Sequence, residues 1–115
     1  MFAPRQSRVR LGSAMLSNKV WDEVGRSFRL TKRELQIVRG IFDDQTEFAI
    51  ASDLGISPHT VHTHIERLRR KLAVVDRVAI VLEVLQEFLR LTTAPGSRLP
   101  PICAARASGL CRLRD

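Results

Sequence analysis

The sequence predicts an all-α fold, a bundle of four helices with an extra N-terminal helix and a flexible tail at each end. Apolar residues recur at spacings of three and four over most of residues 14–91, as they do along one side of an amphipathic helix. Residues that commonly begin helices stand just before several of these apolar stripes. The chain of 115 residues is 44% hydrophobic and 27% charged, which is typical of one globular domain and excludes a large multi-domain enzyme.

The N-terminal segment divides into a tail and one helix. Residues 1–12 contain a proline, a glycine and three arginines without an apolar period, so we expect a flexible basic tail. Within residues 13–29, apolar residues recur every four positions and predict an amphipathic helix over about 14–27. These apolar residues are Leu16, Val20, Val24 and Phe28. Either Ser13 or Ser17 is a suitable cap for this helix.

Capping boxes begin the first two helices of the bundle. In Thr31-Lys32-Arg33-Glu34 the Thr hydroxyl can accept from one backbone amide while the Glu carboxylate accepts from another, which predicts a helix over about 31–42. The segment Asp44-Gln45-Thr46-Glu47 has the same spacing and predicts a second, shorter helix that ends at Gly55. The apolar side of this second helix holds Ile50, Ala51 and Leu54.

The third helix has the clearest pattern. Ser57-Pro58 supplies a cap residue followed by proline at the first helical position. The apolar residues Val61, Ile65, Leu68 and Leu72 lie at spacings of four, three and four, so they share one side of a helix over about 58–73. The opposite side is polar and carries His59, Thr63, Glu66 and Arg70, with His62 and Arg67 at its edges.

The fourth helix, which Asp76 can cap and which extends to about Leu91, is apolar on two sides. We expect its core side to consist of Val78, Val81, Leu82, Leu85 and Leu89. A helix with one side in water needs only one apolar side, so the second apolar side predicts a contact with another chain. This expected dimer interface consists of Ile80, Val84, Phe88 and Leu91.

The formal charge of +7 indicates an acidic partner, either nucleic acid or a membrane surface. Residues 1–30 hold six basic and two acidic residues, residues 31–90 hold nine of each, and residues 91–115 hold four basic and one acidic. Within the neutral middle segment, residues 58–72 hold four basic residues and one acidic residue. Positive charge in the bundle is therefore concentrated on the third helix.

No apolar run approaches the roughly 20 residues that a membrane-spanning helix needs. No apolar segment of the kind found in secretory signals follows the N-terminal arginines. We therefore expect a cytoplasmic protein with no membrane partner. Cys103 and Cys111 are then expected to be free thiols.

Two helices joined by a tight turn, Leu54-Gly55-Ile56-Ser57, predict a helix-turn-helix unit. Four separated pieces of the chain closely resemble the LuxR-type (GerE-type) helix-turn-helix domain of bacterial transcription regulators. The pieces are Leu30-Thr31-Lys32-Arg33-Glu34; Ile50-Ala51 with Leu54-Gly55-Ile56-Ser57; Thr60-Val61 with His64; and Lys71-Leu72 with Val74 and Arg77. They keep their order and spacing, so we assign residues 30–91 to this domain and 92–115 to a flexible C-terminal tail.

The resemblance implies sequence-specific binding of double-stranded DNA by a homodimeric bacterial transcription regulator, with the third helix in the major groove. It places base contacts at His62, Thr63 and Glu66. It places phosphate contacts at Thr46, Ser57, Thr60, Arg67 and Arg70. The fourth helix often forms the dimer contact in this family, and RNA polymerase or another regulator is a further partner to consider. No cofactor is implied.

The chain also departs from the family pattern in ways that favour a second hypothesis. His62 and Glu66 stand where the family usually has basic residues, and Thr46-Glu47-Phe48-Ala49 replaces Ser-Asn-Lys-Glu. Fewer cations would then face the groove. The alternative is a protein-interaction module of the same fold that modulates another regulator by heterodimerisation.

Other chemistry is not indicated. There is no glycine-rich phosphate loop or nucleophile elbow, so we predict that the chain is not an enzyme. His59, His62 and His64 alternate, but residues two apart on a helix point in nearly opposite directions, so they do not predict a metal site. Glu34 and Arg77 are candidates for a structural ion pair between neighbouring elements.

Overall fold

The computed structural model describes residues 12–93, and the remainder of both predicted tails, with Cys103 and Cys111, lies outside the described residues. Within residues 12–93 a short 3-10 turn, Ser13–Met15, is followed by five α-helices and no strand, which confirms the all-α prediction. The helices are α1 (Asn18–Ser27), α2 (Lys32–Phe42), α3 (Glu47–Leu54), α4 (Pro58–Leu72) and α5 (Arg77–Thr93). Helix α1 is the extra N-terminal helix, and α2 to α5 are the first to fourth helices of the bundle.

Helix α1 is part of the hydrophobic core. Its N-cap is Ser17, whose hydroxyl accepts a hydrogen bond from the amide of Val20. Ser17 is one of the two caps that the sequence predicted. Val20, Trp21 and Val24 are fully buried. The helix packs against α2 and α5, so the bundle has five helices around one core.

The 3-10 turn before α1 is fastened to the end of α2. The backbone amide of Ser13 donates to Asp43 Oδ1 at 2.8 Å, and its hydroxyl donates to Asp43 Oδ2 at 3.1 Å. The indole Nε1 of Trp21 donates to the carbonyl oxygen of Ser13 at 2.8 Å. The same indole meets Phe42 edge to face, with ring centroids 4.9 Å apart. The hydrogen bond to Ser13 satisfies the indole nitrogen, which is the one polar atom of the buried Trp21 side chain.

Among α2 to α5, the capping predictions hold at three helices and fail at one. The reciprocal Thr31–Glu34 box, the Ser57 cap with Pro58, and Asp76, which accepts from the amide of Ala79, are all present. At α3 the cap is Thr46, which accepts from the amide of Ala49, rather than the predicted Asp44. Asp44 has φ +58° and so lies in the turn between the helices, because a cap residue needs extended backbone.

The predicted faces of α5 are wrong. Ile80, Val84 and Phe88, assigned to an interface between chains, are buried inside the chain, and Leu91 is partly buried against the core. The predicted core residues Val78, Leu82 and Leu89 are exposed instead, while Val81 and Leu85 are partly buried. Helices α1, α2 and α4 all pack on α5. They cover the side of α5 that the sequence pattern assigned to a second chain.

At the C-terminal half of α5, Glu87 joins this helix to α1. Its carboxylate accepts hydrogen bonds from Arg90 on the same helix and from the Ser27 hydroxyl at the end of α1. The hydrogen bond from Arg90 outweighs the effect of burial and, with the one from Ser27, holds the pKa of Glu87 below its ordinary value.

Among residues 12–93, none of the helices has the length and apolar character that a membrane-spanning helix needs.

Candidate nucleic-acid interface

The turn between α3 and α4 is a tight corner built on one glycine. Gly55 ends α3 in the left-handed conformation, at φ +69°, where residues with a side chain are strained. The amide of Ile56 then donates back to the carbonyl oxygen of Ala51 at 3.1 Å, and Ser57 begins α4 two residues after the glycine. The two helices pack against each other across this corner.

Helix α4 has one core side and one outer side. Its four predicted apolar residues, Val61, Ile65, Leu68 and Leu72, are all buried. Since they share one side of the helix, the polar residues at the intervening positions lie outside. We call this polar surface the outer face of α4; it consists of His59, His62, Thr63, Glu66, Arg67 and Arg70.

The three predicted base-contacting residues all lie on the outer face. His62 is exposed, and Thr63 and Glu66 are half-buried. The Thr63 hydroxyl donates to the carbonyl oxygen of His59 at 3.1 Å, so its hydrogen is already used. Its lone pairs remain, and Thr63 therefore suits accepting a hydrogen bond from a base rather than donating one.

Of the three hydroxyl groups predicted to contact phosphates, Thr46 caps α3, Ser57 caps α4, and Thr60 lies in the first turn of α4. Thr46 accepts from the amide of Ala49, and Ser57 accepts from the amide of Thr60, each at 3.1 Å. The Ser57 and Thr60 hydroxyl oxygens are 2.8 Å apart and share one hydrogen. A capping hydroxyl uses a lone pair, so Thr46 keeps its own hydrogen, and the Ser57–Thr60 pair keeps one, for an anion at the helix N-terminus.

The two predicted phosphate-binding arginines are available. Arg67 and Arg70 are exposed, and neither has a hydrogen bond or ion pair with another residue of the described range. They lie about one turn apart on the outer face, and both are on the same side of Glu66 around the helix axis. Their charge is not neutralised within the bundle.

Four charged or titratable side chains form a network across α3 and α4 that the sequence did not predict. His62 Nδ1 lies 3.5 Å from Glu47 Oε2 on α3, and His62 Nε2 lies 3.9 Å from Glu66 Oε2. Arg69 Nη1 donates to the same Oε2 atom of Glu66. The spacing of Glu66 and Arg69 by three residues was the available signal for this pair.

The predicted Glu34–Arg77 ion pair is wrong. Glu34, whose side chain is 7% exposed, instead pairs with Lys71 near the end of α4, with 2.8 Å between Lys71 Nζ and Glu34 Oε1. Arg77 donates to the carbonyl oxygen of Gln45 and lies 3.9 Å from the Asp44 carboxylate. Lys71 joins α4 to α2, and Arg77 joins α5 to the turn between α2 and α3, so neither belongs to the outer face.

The three histidines of α4 do not converge. His62 and His59 are exposed, whereas His64 is half-buried and its Nδ1 atom is buried without a hydrogen-bond partner among residues 12–93. Neighbouring members of the series therefore point to different surroundings, as the helical geometry requires.

Helices α3 and α4, with the Gly55 corner between them and a polar outer face on the second helix, define a helix-turn-helix protein. The sequence comparisons give the family. The family described as "Bacterial regulatory proteins, luxR family" matches residues 29–84. The chain belongs to this LuxR family, as its motifs predict.

Three relatives share this segment of the chain, and two of them are named as transcriptional regulatory proteins. Over 57 residues the chain is 42% identical to the spore germination protein GerE of Bacillus subtilis, a match that covers 50% of this chain and 77% of that protein. It is 42% identical over 60 residues to the probable transcriptional regulatory protein NarL of Mycobacterium tuberculosis, covering 52% of this chain and 28% of NarL. It is 41% identical over 56 residues to the transcriptional regulatory protein UhpA of Escherichia coli, covering 49% and 29%.

The matched segment is thus less than a third of NarL and of UhpA. No solved structure matches the chain significantly. NarL and UhpA are named as transcriptional regulatory proteins and not as enzymes, in agreement with the prediction that this chain is not an enzyme.

Proposed function

We propose that this chain binds double-stranded DNA sequence-specifically as a bacterial transcription regulator, with α4 in the major groove. The observation that carries the proposal is the outer face of α4, which opposes the buried stripe and presents two arginines without partners in the described range. A helix with this arrangement, following a tight corner, is the element that helix-turn-helix proteins insert into DNA. Membership of the LuxR family supports the same function.

The contacts divide by chemistry. His62, Thr63 and Glu66 carry groups that hydrogen-bond base edges, and they lie on the part of the outer face that would meet the groove floor. Arg67 and Arg70 supply positive charge for phosphates beside them. Thr46, Ser57 and Thr60 stand at the N-termini of α3 and α4, where backbone amides and the helix dipole favour an anion.

The active form is a homodimer through the outward side of α5. This surface consists of Val78, Leu82 and Leu89, whose side chains are 64%, 57% and 47% exposed, beside Val75 at 76%. It replaces the surface predicted from the sequence, which is inside the core. A second copy would cover these apolar side chains, whose exposure in water is unfavourable, and would place two α4 helices for two half-sites.

The protein would act in the cytoplasm, where its DNA is. RNA polymerase or another regulator would be its protein partner at a promoter.

The test is selection of duplexes from a random pool by the full chain at low salt. We expect enrichment of one short motif in two copies, because each subunit of a dimer reads one half-site. Recovery of no duplex over background would contradict the proposed function. An R67A/R70A variant should lose binding, and an R26A variant, which removes an exposed arginine of α1, should keep it.

One observation favours the alternative, a module that modulates another regulator by heterodimerisation. The outer face also carries Glu66, and Glu47 lies beside it, so the surface is less positive than its arginines alone suggest. If the alternative holds, the chain captures another LuxR-type regulator through the exposed side of α5. In that case L82E abolishes its effect on transcription and R67A/R70A leaves it unchanged.

A further inference from the structure

Glu66 is held in one orientation by a neighbour on its own helix. Arg69 Nη1 donates to Glu66 Oε2, and His62 Nε2 lies 3.9 Å from the same oxygen. Glu66 Oε1 has no hydrogen-bond partner among residues 12–93. A carboxylate accepts through both oxygens, so the structure leaves one acceptor oxygen open on the outer face of α4.

Arg69 itself is anchored. Its side chain is 35% exposed, and its Nε atom is buried with no partner in the described range, so the guanidinium lies on the flank of the helix and not on its outer face. From this position it offsets the charge of Glu66. A carboxylate without such a partner would be repelled by the phosphates on both sides of a DNA groove, whereas a paired one can approach the base edges.

An open carboxylate oxygen selects among bases by the groups that they show in the major groove. Guanine presents two acceptors and thymine one acceptor beside a methyl group, so both are disfavoured. Adenine offers the N6 amino donor, but its N7 acceptor lies next to that donor and repels the carboxylate. Cytosine offers the N4 amino donor with no neighbouring acceptor on its major-groove edge.

We propose that Glu66 makes this protein select a cytosine in each half-site, and that Arg69 is the positioning residue that holds Glu66 for this contact. The inference rests on the proposed function, since it requires α4 to lie in the major groove. It adds a specificity that follows from this chain's own residues, because Glu66 stands where the family usually has a basic residue.

The experiment compares the wild-type chain with E66Q on duplexes that differ at one base pair of the selected motif. Wild type should prefer cytosine at one position by about tenfold or more, the size of one good side-chain–base contact. Glutamine has nearly the same volume but carries an acceptor and a donor, which match N6 and N7 of adenine. E66Q should therefore change the preference from cytosine to adenine at that position and leave the others unchanged.

The role of Arg69 is tested with R69M and R69K. R69M removes the donor, so it should weaken binding to all duplexes and reduce the cytosine preference severalfold, while R69K should restore both. The control is R26M, because Arg26 and Glu23 form a pair with the same three-residue spacing on α1. Circular dichroism establishes that each variant is folded.

Each outcome decides a different question. If E66Q keeps the wild-type cytosine preference, or if wild type has no cytosine preference at any position, the assignment of Glu66 is overturned. If E66Q changes the preference but folded R69M does not, the positioning role of Arg69 is overturned. If wild type binds no duplex at all, the proposed function fails, and this inference with it.

Discussion

Lys71 Nζ lies 2.8 Å from Glu34 Oε1 and joins the last turn of α4 to the first turn of α2. The same ammonium group donates to the carbonyl oxygen of Arg29 at 3.0 Å, in the loop before α2. One lysine therefore fixes the outward-facing helix α4 to the rest of the bundle at its C-terminal end. The opposite end is fixed by the packing of α3 on α4.

Replacing Lys71 by methionine should reduce the free energy of unfolding by about 1–3 kcal/mol, because it leaves the buried Glu34 carboxylate without its charged partner. Urea unfolding followed by the fluorescence of Trp21, the one tryptophan of the chain, measures the change. R26M removes an exposed ion pair and should change stability by less than about 1 kcal/mol. Equal losses in the two variants would show that the Glu34–Lys71 pair has no special role.

The same pair predicts how stability depends on pH. Burial alone would raise the pKa of Glu34, but the hydrogen bonds from Lys71 and the Thr31 amide outweigh it and lower that pKa below its ordinary value. The folded state therefore binds the proton more weakly than the unfolded state. The resulting stabilisation is present above about pH 4.5, the ordinary value, and is lost as the pH falls through the lower pKa of the folded state.

E34Q should consequently be less stable than wild type near neutral pH and should lose less further stability between about pH 5 and pH 3. Unfolding curves across this range measure both effects. Glu87, whose pKa is also lowered, keeps part of the acid sensitivity in the variant. A pH dependence identical to that of wild type would exclude Glu34 as a source of it.

Helix α1 should contribute to stability as a core helix. V24A removes two buried methyl groups and should lower the free energy of unfolding by about 2 kcal/mol. Urea unfolding measures this, and K19A on the exposed side of the same helix is the control. If V24A matched K19A, α1 would not be docked on α2 and α5 in solution.

Most of the helix boundaries were predictable because capping is local. Thr31, Ser57 and Asp76 each accept a hydrogen bond from an amide three residues later, so a short stretch of sequence contains all the information. The error at α3 has the same origin. Asp44 and Thr46 are both suitable cap residues, and only the turn after α2 decides which of them has extended backbone.

The faces of α5 could not be predicted in the same way. A helix that is apolar on two sides gives no local signal for which side is buried. The choice is made by where α1 docks, which depends on contacts such as those of Trp21 with Ser13 and Phe42. Similarly, the apolar period of α4 predicted which of its side chains are buried and which face outward. It could not predict the contact of His62 with Glu47, because these residues lie on two helices that only the fold brings together.

The exposed side of α5 predicts the effect of one charge on association. L82E places a carboxylate in the middle of the surface formed by Val78, Leu82 and Leu89, which should convert a dimer to a monomer. The chain should stay folded, because Leu82 is 57% exposed. Sedimentation velocity measures the mass, and circular dichroism monitors the fold. V84E is the informative contrast, since Val84 is buried and its replacement should unfold the protein. An unchanged mass for folded L82E would exclude this surface as the interface.

The arginines of the outer face should determine the salt dependence of DNA binding. Each bound phosphate releases a condensed counterion, so removing Arg67 or Arg70 should lower the slope of log affinity against log salt by about one for each phosphate that the variant no longer neutralises. Affinity should fall by a similar factor for selected and unselected duplexes, because phosphates carry no sequence information. Titrations of wild type, R67A, R70A and R26A at several salt concentrations measure these slopes.

A reduced slope in R26A equal to that in R67A would show that positive charge anywhere on the bundle has the same effect as charge on the outer face. Unchanged slopes in both outer-face variants would place the phosphates elsewhere on the bundle, and α4 would then not lie in the groove.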